Sequence, residues 1–259
     1  MVLLAASIAA VIWAQDELLF PTHAVGPPGP LPRGAERIII DAPGSIRLHG
    51  VHIAPATAGQ GRTLVLGFGG NAWNGDDVGS YLHRIYPHAD VIAFHYRGYR
   101  PSTGTPSAHA LLADAPLVFD AAVKRVKPER TVAVGFSIGS GVAAGLARQR
   151  PVDGLVLVTP FDTLKALARD LYPWLPVGLV LRHQLDVAGS MEGTQVPTAI
   201  VAAERDEIVP PARTAALRSK VANLVYDRTI ACAGHNDLYG LADFEKAMGE
   251  ALARVGGGG

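Results

Sequence analysis

The sequence predicts a doubly wound α/β domain built on a central, mostly parallel sheet. Short apolar runs alternate with helical stretches along most of the chain, which is the rhythm of repeated βαβ units. The runs are continuous Val, Ile, Leu and Ala instead of alternating apolar and polar residues. That is the pattern of strands covered on both faces. One junction adds chemistry to the frame. The run 131–134 passes through Gly135-Phe136-Ser137-Ile138-Gly139 into the small-residue stretch 140–146: a strand, a tight turn tipped by serine, then a helix. Glycine on either side of such a turn tolerates the close approach of neighbouring backbone.

The chain opens on residues 1–14 (MVLLAASIAAVIWA), which carry no charged side chain and end at Gln15-Asp16-Glu17. As a helix this segment would span only about 21 Å, short of the roughly 30 Å hydrocarbon core of a bilayer. It also lacks the basic start of an export signal. It reads as a short membrane anchor, an atypical export signal or a buried first helix, and the expectation is a membrane-associated or exported chain. Pro27, Pro28, Pro30 and Pro32 make 15–36 a stiff connector. The main domain is expected over 37–255. It begins with an antiparallel pair at 37–41 and 46–53, turning at Pro43-Gly44. Strands follow at 63–68, 91–94, 131–136, 155–159, 198–203 and 228–232, with helices at 77–86, 108–126, 139–149, 211–221 and 238–255.

The stretch 161–191 breaks the rhythm, being too long for an ordinary αβ connection and carrying Leu171-Tyr172-Pro173-Trp174-Leu175-Pro176. It reads as a short helical cap over the carboxyl edge of the sheet; the alternative is a crossover helix with a Pro-rich loop. Composition narrows the function. Lys plus Arg and Asp plus Glu balance at 23 each, so no charge footprint points to nucleic acid or to an acidic membrane. The single cysteine, Cys232, excludes an internal disulfide. The histidines show no ligand spacing such as HExxH, so neither a metal nor another cofactor is expected.

A serine hydroxyl is a weak nucleophile at neutral pH and needs a base within hydrogen-bond reach, itself oriented by a third group. Ser137 is the candidate nucleophile. His235, in Ala233-Gly234-His235-Asn236-Asp237 after the last expected strand, is the candidate base. Asp206, after the strand at 198–203, is the candidate acid, with Glu204, Glu207 and Asp186 as rivals; Asp237 is expected to cap the final helix. All three candidates then lie at the carboxyl edge of the sheet, where open α/β sheets bind ligands. Acyl transfer also needs N–H donors for an oxyanion. The expected donors are the backbone N–H groups of Ile138 and Asn71, the latter in the glycine-rich Gly67-Phe68-Gly69-Gly70-Asn71-Ala72. Phe161, Tyr172, Trp174 and Trp73 are candidates to line an apolar acyl pocket, or else belong to the core.

These residues resemble the α/β-hydrolase superfamily, and more narrowly its N-terminally membrane-anchored branch, which includes protein depalmitoylases. Tyr96-Arg97-Gly98-Tyr99-Arg100-Pro101-Ser102-Thr103-Gly104-Thr105-Pro106-Ser107 is similar to that branch's YRGYGxSxGxPS segment. Gly70-Asn71-Ala72 is similar to its HGNA turn and Gly234-His235-Asn236-Asp237 to its GHND loop. Gly69 stands where that branch has histidine, and Arg100 where it has glycine. The resemblance implies an α/β-hydrolase fold and a cofactor-independent hydrolase acting on a small-molecule acyl ester or thioester. A peptidase or amidase would use the same triad, and a binding protein of this fold would use none of it.

Overall fold

The computed structural model describes residues 14–57 and 61–257. Eight strands form one sheet: β1 (Glu36–Ala42), β2 (Ile46–Ile53), β3 (Thr63–Phe68), β4 (Asp90–Phe94), β5 (Arg130–Phe136), β6 (Gly154–Val158), β7 (Thr198–Ala203) and β8 (Leu224–Ile230). Their order is β1-β2-β4-β3-β5-β6-β7-β8. β1 and β2 pair antiparallel, as do β2 and β4; from β4 through β8 every pairing is parallel. This is the α/β-hydrolase fold that the resemblance implies.

The helices are α1 (residues 14–19), α2 (Gly75–Ile85), α3 (Ala108–Val126), α4 (Ile138–Ala147), α5 (Leu164–Leu171), α6 (Val177–Val180), α7 (Val187–Met191), α8 (Pro211–Arg218) and α9 (Ala242–Val255). Two cores explain why the strand sequences read as unbroken apolar runs. Leu64 and Leu66 of β3 pack on one face with residues of α3, α4 and α8, while Val65 between them packs on the other with residues of α2 and α9. Both faces of the central strands are thus dry.

The stretch between β6 and β7 holds α5, α6 and α7. Thr163 caps α5, accepting from the Ala166 N–H at 3.0 Å, and Asp186 caps α7, accepting from the Gly189 N–H at 2.7 Å. Thr163 and Asp186 also pair as an isolated antiparallel bridge, which closes the base of this excursion.

Several expectations are corrected. The last strand lies at Leu224–Ile230 and not at 228–232; its half-buried Leu224, Val225 and Tyr226 and its exposed Asp227, Arg228 and Thr229 form an edge strand, without the apolar run of a central one. The final helix does not begin at 238. A single 3₁₀ turn (Leu238–Gly240) precedes α9, and Asp237 makes no side-chain cap bond there. The expected membrane-associated or exported chain is also corrected: no helix among the described residues is long and apolar enough to cross a membrane. Residues 1–13 of the expected anchor lie outside the described residues. Ala14 opens α1, whose Gln15 is buried, and Phe20 just beyond is 1% exposed.

Candidate active site

β5 delivers Ser137 to the carboxyl edge of the sheet, and α4 starts at the next residue. Ser137 has φ 51° and ψ −116°, a positive-φ conformation that L side chains rarely adopt. Its own backbone is pinned: its N–H donates to the Val158 carbonyl at 2.9 Å, and its carbonyl accepts from the Ser140 hydroxyl at 2.6 Å. The flanking glycines are sterically required. A Cβ on Gly135 would lie 2.3 Å from the Gly139 carbonyl oxygen, and one on Gly139 would lie 2.2 Å from that of Phe68.

Asp206 and His235 meet at the ends of neighbouring parallel strands, β7 and β8. His235 Nδ1 lies 2.9 Å and 2.8 Å from the two Asp206 carboxylate oxygens, and both side chains are buried. Oδ1 of Asp206 also accepts from the backbone N–H groups of Ile208 at 3.0 Å and Val209 at 2.6 Å. The rival carboxylates are committed elsewhere. Glu204 accepts from the Cys232 N–H at 2.7 Å, Glu207 accepts from the His235 N–H at 3.2 Å, and Asp186 caps α7. Glu204 and Glu207 therefore brace the histidine loop, leaving the imidazole to Asp206. Ser137 and His235 border one cavity of about 420 Å³ with Asn71, Trp73 and Tyr239. Among the described residues no hydrogen bond joins the Ser137 hydroxyl to the imidazole; such bonds often tighten only with substrate.

The loop after β3 is held by two tyrosine hydroxyls. The Tyr96 hydroxyl donates to the Gly69 carbonyl at 2.8 Å and the Tyr99 hydroxyl to the Asn71 carbonyl at 2.6 Å. Burial, reinforced for Tyr99 by the Glu17 charge, pushes both phenol pKa values up, so both remain protonated donors. Neither Asn71 N–H nor Ile138 N–H donates to a backbone carbonyl among the described residues. Arg97 pairs with Asp114, and Gly98, at φ +80°, makes the turn between the two tyrosines.

A second cavity, of about 300 Å³, opens on the other side of Ser137. It is lined by Ile138, Phe161, leucines and valines of α5 and α6, and Leu18 and Leu19 of α1. Asn71, Ser137 and Ile208 border both cavities.

The comparisons with known proteins agree with this fold. The chain is 31% identical over 244 residues to an uncharacterized protein of Mycobacterium tuberculosis, an alignment covering 91% of this chain and 85% of that one. A family profile described as alpha/beta hydrolase fold matches residues 64–189, from β3 through the serine turn into α7. The chain belongs to the α/β-hydrolase family. Over 138 residues it is 28% identical to the lysophosphatidylserine lipase ABHD12 of Danio rerio, covering 46% of this chain but only 36% of that lipase. Among solved structures, an esterase of Pyrococcus furiosus superposes with a TM-score of 0.69 at 18% identity, covering 90% of this chain and 98% of that one. An alpha-beta hydrolase of Vibrio vulnificus gives 0.71 at 20% identity, covering 93% and 91%.

The aromatic candidates separate in this structure. Phe161 and Tyr172 line the apolar cavity. Trp73 borders the histidine cavity instead, in edge-to-face contact with Tyr81, Phe136 and Tyr239. Trp174 lines neither cavity; it is half exposed and packs edge-on against Tyr172. Sequence reasoning missed Tyr96 and Tyr99 as supports of the β3 loop, and Leu18 and Leu19 as cavity wall. The paired tyrosines of the Tyr96-Arg97-Gly98-Tyr99 segment were the available signal for the first. The three-residue run Leu18-Leu19-Phe20 offers none for the second.

Proposed function

We propose that this hydrolase cleaves carboxylic esters or thioesters of apolar acyl groups through Ser137, His235 and Asp206. Ser137 Oγ attacks the carbonyl carbon while the imidazole nitrogen not bound by Asp206 takes its proton. The oxyanion is held by the Asn71 and Ile138 N–H groups. His235 then protonates the departing alcohol or thiol. Water, deprotonated by the same imidazole, releases the carboxylic acid and regenerates the serine.

The observation that carries this reading is the position of Ser137 between two unlike cavities. The side that holds His235 is where a leaving group must sit to be protonated. The other side is apolar, and no charged residue lines it among the described residues. That lining supports an uncharged acyl group over a peptide, whose terminal amine or carboxylate would need an opposite charge. The alignment with a lysophosphatidylserine lipase fits an acyl ester, and the resemblance to depalmitoylases adds thioesters to the range.

Ser137→Ala should lower turnover of p-nitrophenyl butyrate by about 10⁴-fold or more, and a fluorophosphonate probe should label the parent chain on Ser137 only. Turnover near the parent level in the folded variant overturns the proposal. Faster cleavage of aminoacyl amides than of esters favours a peptidase.

A further inference from the structure

α1 carries side chains into the cavity from a part of the chain remote from the serine turn. Leu18 and Leu19 line the cavity beside Ser137, facing a wall built from Leu164, Leu167 and Leu171 of α5 and Val177 and Val180 of α6. Spacings of three and four residues put the three α5 leucines on one face of that helix. α1 is tied to the segment that follows α6. Gln15 Nε2 donates to the Val180 carbonyl at 3.2 Å, and Gln15 Oε1 accepts from the Arg182 N–H at 2.8 Å. Asp16 pairs with the Arg182 guanidinium at 3.0 Å and with His183 Nε2 at 2.5 Å. Phe20 packs edge-on against the His183 ring, centroids 5.1 Å apart, and is itself buried. The wall is therefore fastened by buried and polar contacts to the segment it faces.

We propose that α1 is the wall that selects acyl chain length, with Leu18 and Leu19 as specificity-determining residues and Gln15 and Asp16 as their positioning residues. This rests on the hydrolase reading above and names its preferred substrates as esters of unbranched acyl chains longer than acetyl. An acetyl group is too short to need this wall, whereas a longer chain leaving the Ser137 carbonyl must run against it. A methylene more or less in such a pocket changes kcat/KM by roughly tenfold or more.

The test measures kcat/KM of the purified full chain on p-nitrophenyl acetate, butyrate and octanoate. Leu19→Trp, which fills the cavity, should lower the octanoate-to-acetate ratio of kcat/KM by about tenfold or more. Leu18→Trp should shift the ratio in the same direction by a smaller factor. Leu18 is 52% exposed, so the larger side chain needs no repacking of the core, and this variant decides the matter if Leu19→Trp fails to fold by circular dichroism. Asp16→Asn, which loosens the wall, should raise KM for octanoate by a larger factor than KM for acetate. An unaltered ratio in folded Leu18→Trp, with the parent active and labelled by fluorophosphonate on Ser137, overturns this inference alone. A parent chain that hydrolyses no ester and takes no label removes the hydrolase reading, and this inference with it.

Discussion

At Gly139 the serine turn has room for a hydrogen atom and no more. A methyl group there would stand 2.2 Å from the Phe68 carbonyl oxygen and 2.5 Å from that of Gly69. Both obstacles are backbone, so neither can rotate away. The Gly139→Ala chain can fold only by pushing the loop at 69–71 outward, carrying the Asn71 N–H with it. Its kcat on p-nitrophenyl butyrate should fall by about 10²-fold, the cost of losing one oxyanion donor; a kcat within twofold of the parent would count against Asn71. Asp206 makes a complementary case. Its carboxylate accepts from two backbone N–H groups and from His235 at once. Asparagine keeps the shape but presents an N–H₂ group to an imidazole nitrogen that should donate. Asp206→Asn should therefore cost about 10⁴-fold in kcat with an unchanged circular dichroism spectrum. A loss of less than tenfold would point to another acid.

At the scale of elements, the β3 loop is positioned by tyrosines that line neither cavity beside Ser137. Tyr99→Phe removes the hydroxyl that donates to the Asn71 carbonyl and leaves the buried ring in place. The expected result is a kcat lower by roughly tenfold with KM nearly constant, because an oxyanion donor acts on the transition state alone; a rise in KM at constant kcat would instead place Tyr99 in substrate binding. This tether also marks where sequence reading reaches its limit. Ser137, Asp206 and His235 stood out because their chemistry demands particular residue types at strand ends. The hydroxyls of Tyr96 and Tyr99 reach main-chain carbonyls, which every residue offers, so nothing in Gly69 or Asn71 announces the partnership. Leu18 and Leu19 stand with Phe20 in a three-residue apolar run between Glu17 and Pro21, too short for periodicity to separate cavity wall from core. The start of β8 was misplaced because an edge strand needs no unbroken apolar run, whereas β3, β5 and β7, dry on both faces, could be read directly. Asp237 was misjudged for a local reason: a 3₁₀ turn intervenes before α9, and its side chain has no helix N–H to accept.

Across the whole molecule, the antiparallel margin and the parallel sheet are joined by a buried charge cluster distant in sequence from the serine turn. Asp76, in the first turn of α2, is fully buried and pairs with His95 just after β4 at 3.1 Å and with Arg37 of β1 at 2.9 Å. Burial by itself would raise the carboxyl pKa, but the hydrogen bonds and charges of His95 and Arg37 outweigh it, and the net displacement is downward from the model-compound value of 3.8. A carboxyl with a folded pKa below its unfolded one contributes stability that is complete above the unfolded value. That contribution fades as pH drops toward the folded pKa. Asp76→Asn removes the charge but keeps the volume, so the variant should unfold more easily by ~1–3 kcal/mol at pH 7. The deficit should hold down to about pH 5 and shrink below about pH 4, where the carboxyl of the unfolded parent begins to take up a proton. Urea unfolding of both chains at pH 7, 5 and 3.5 measures it. A deficit equally large at pH 3.5 and pH 7 would mean that the cluster stabilises the fold through shape and neutral hydrogen bonds, with no contribution from the charge.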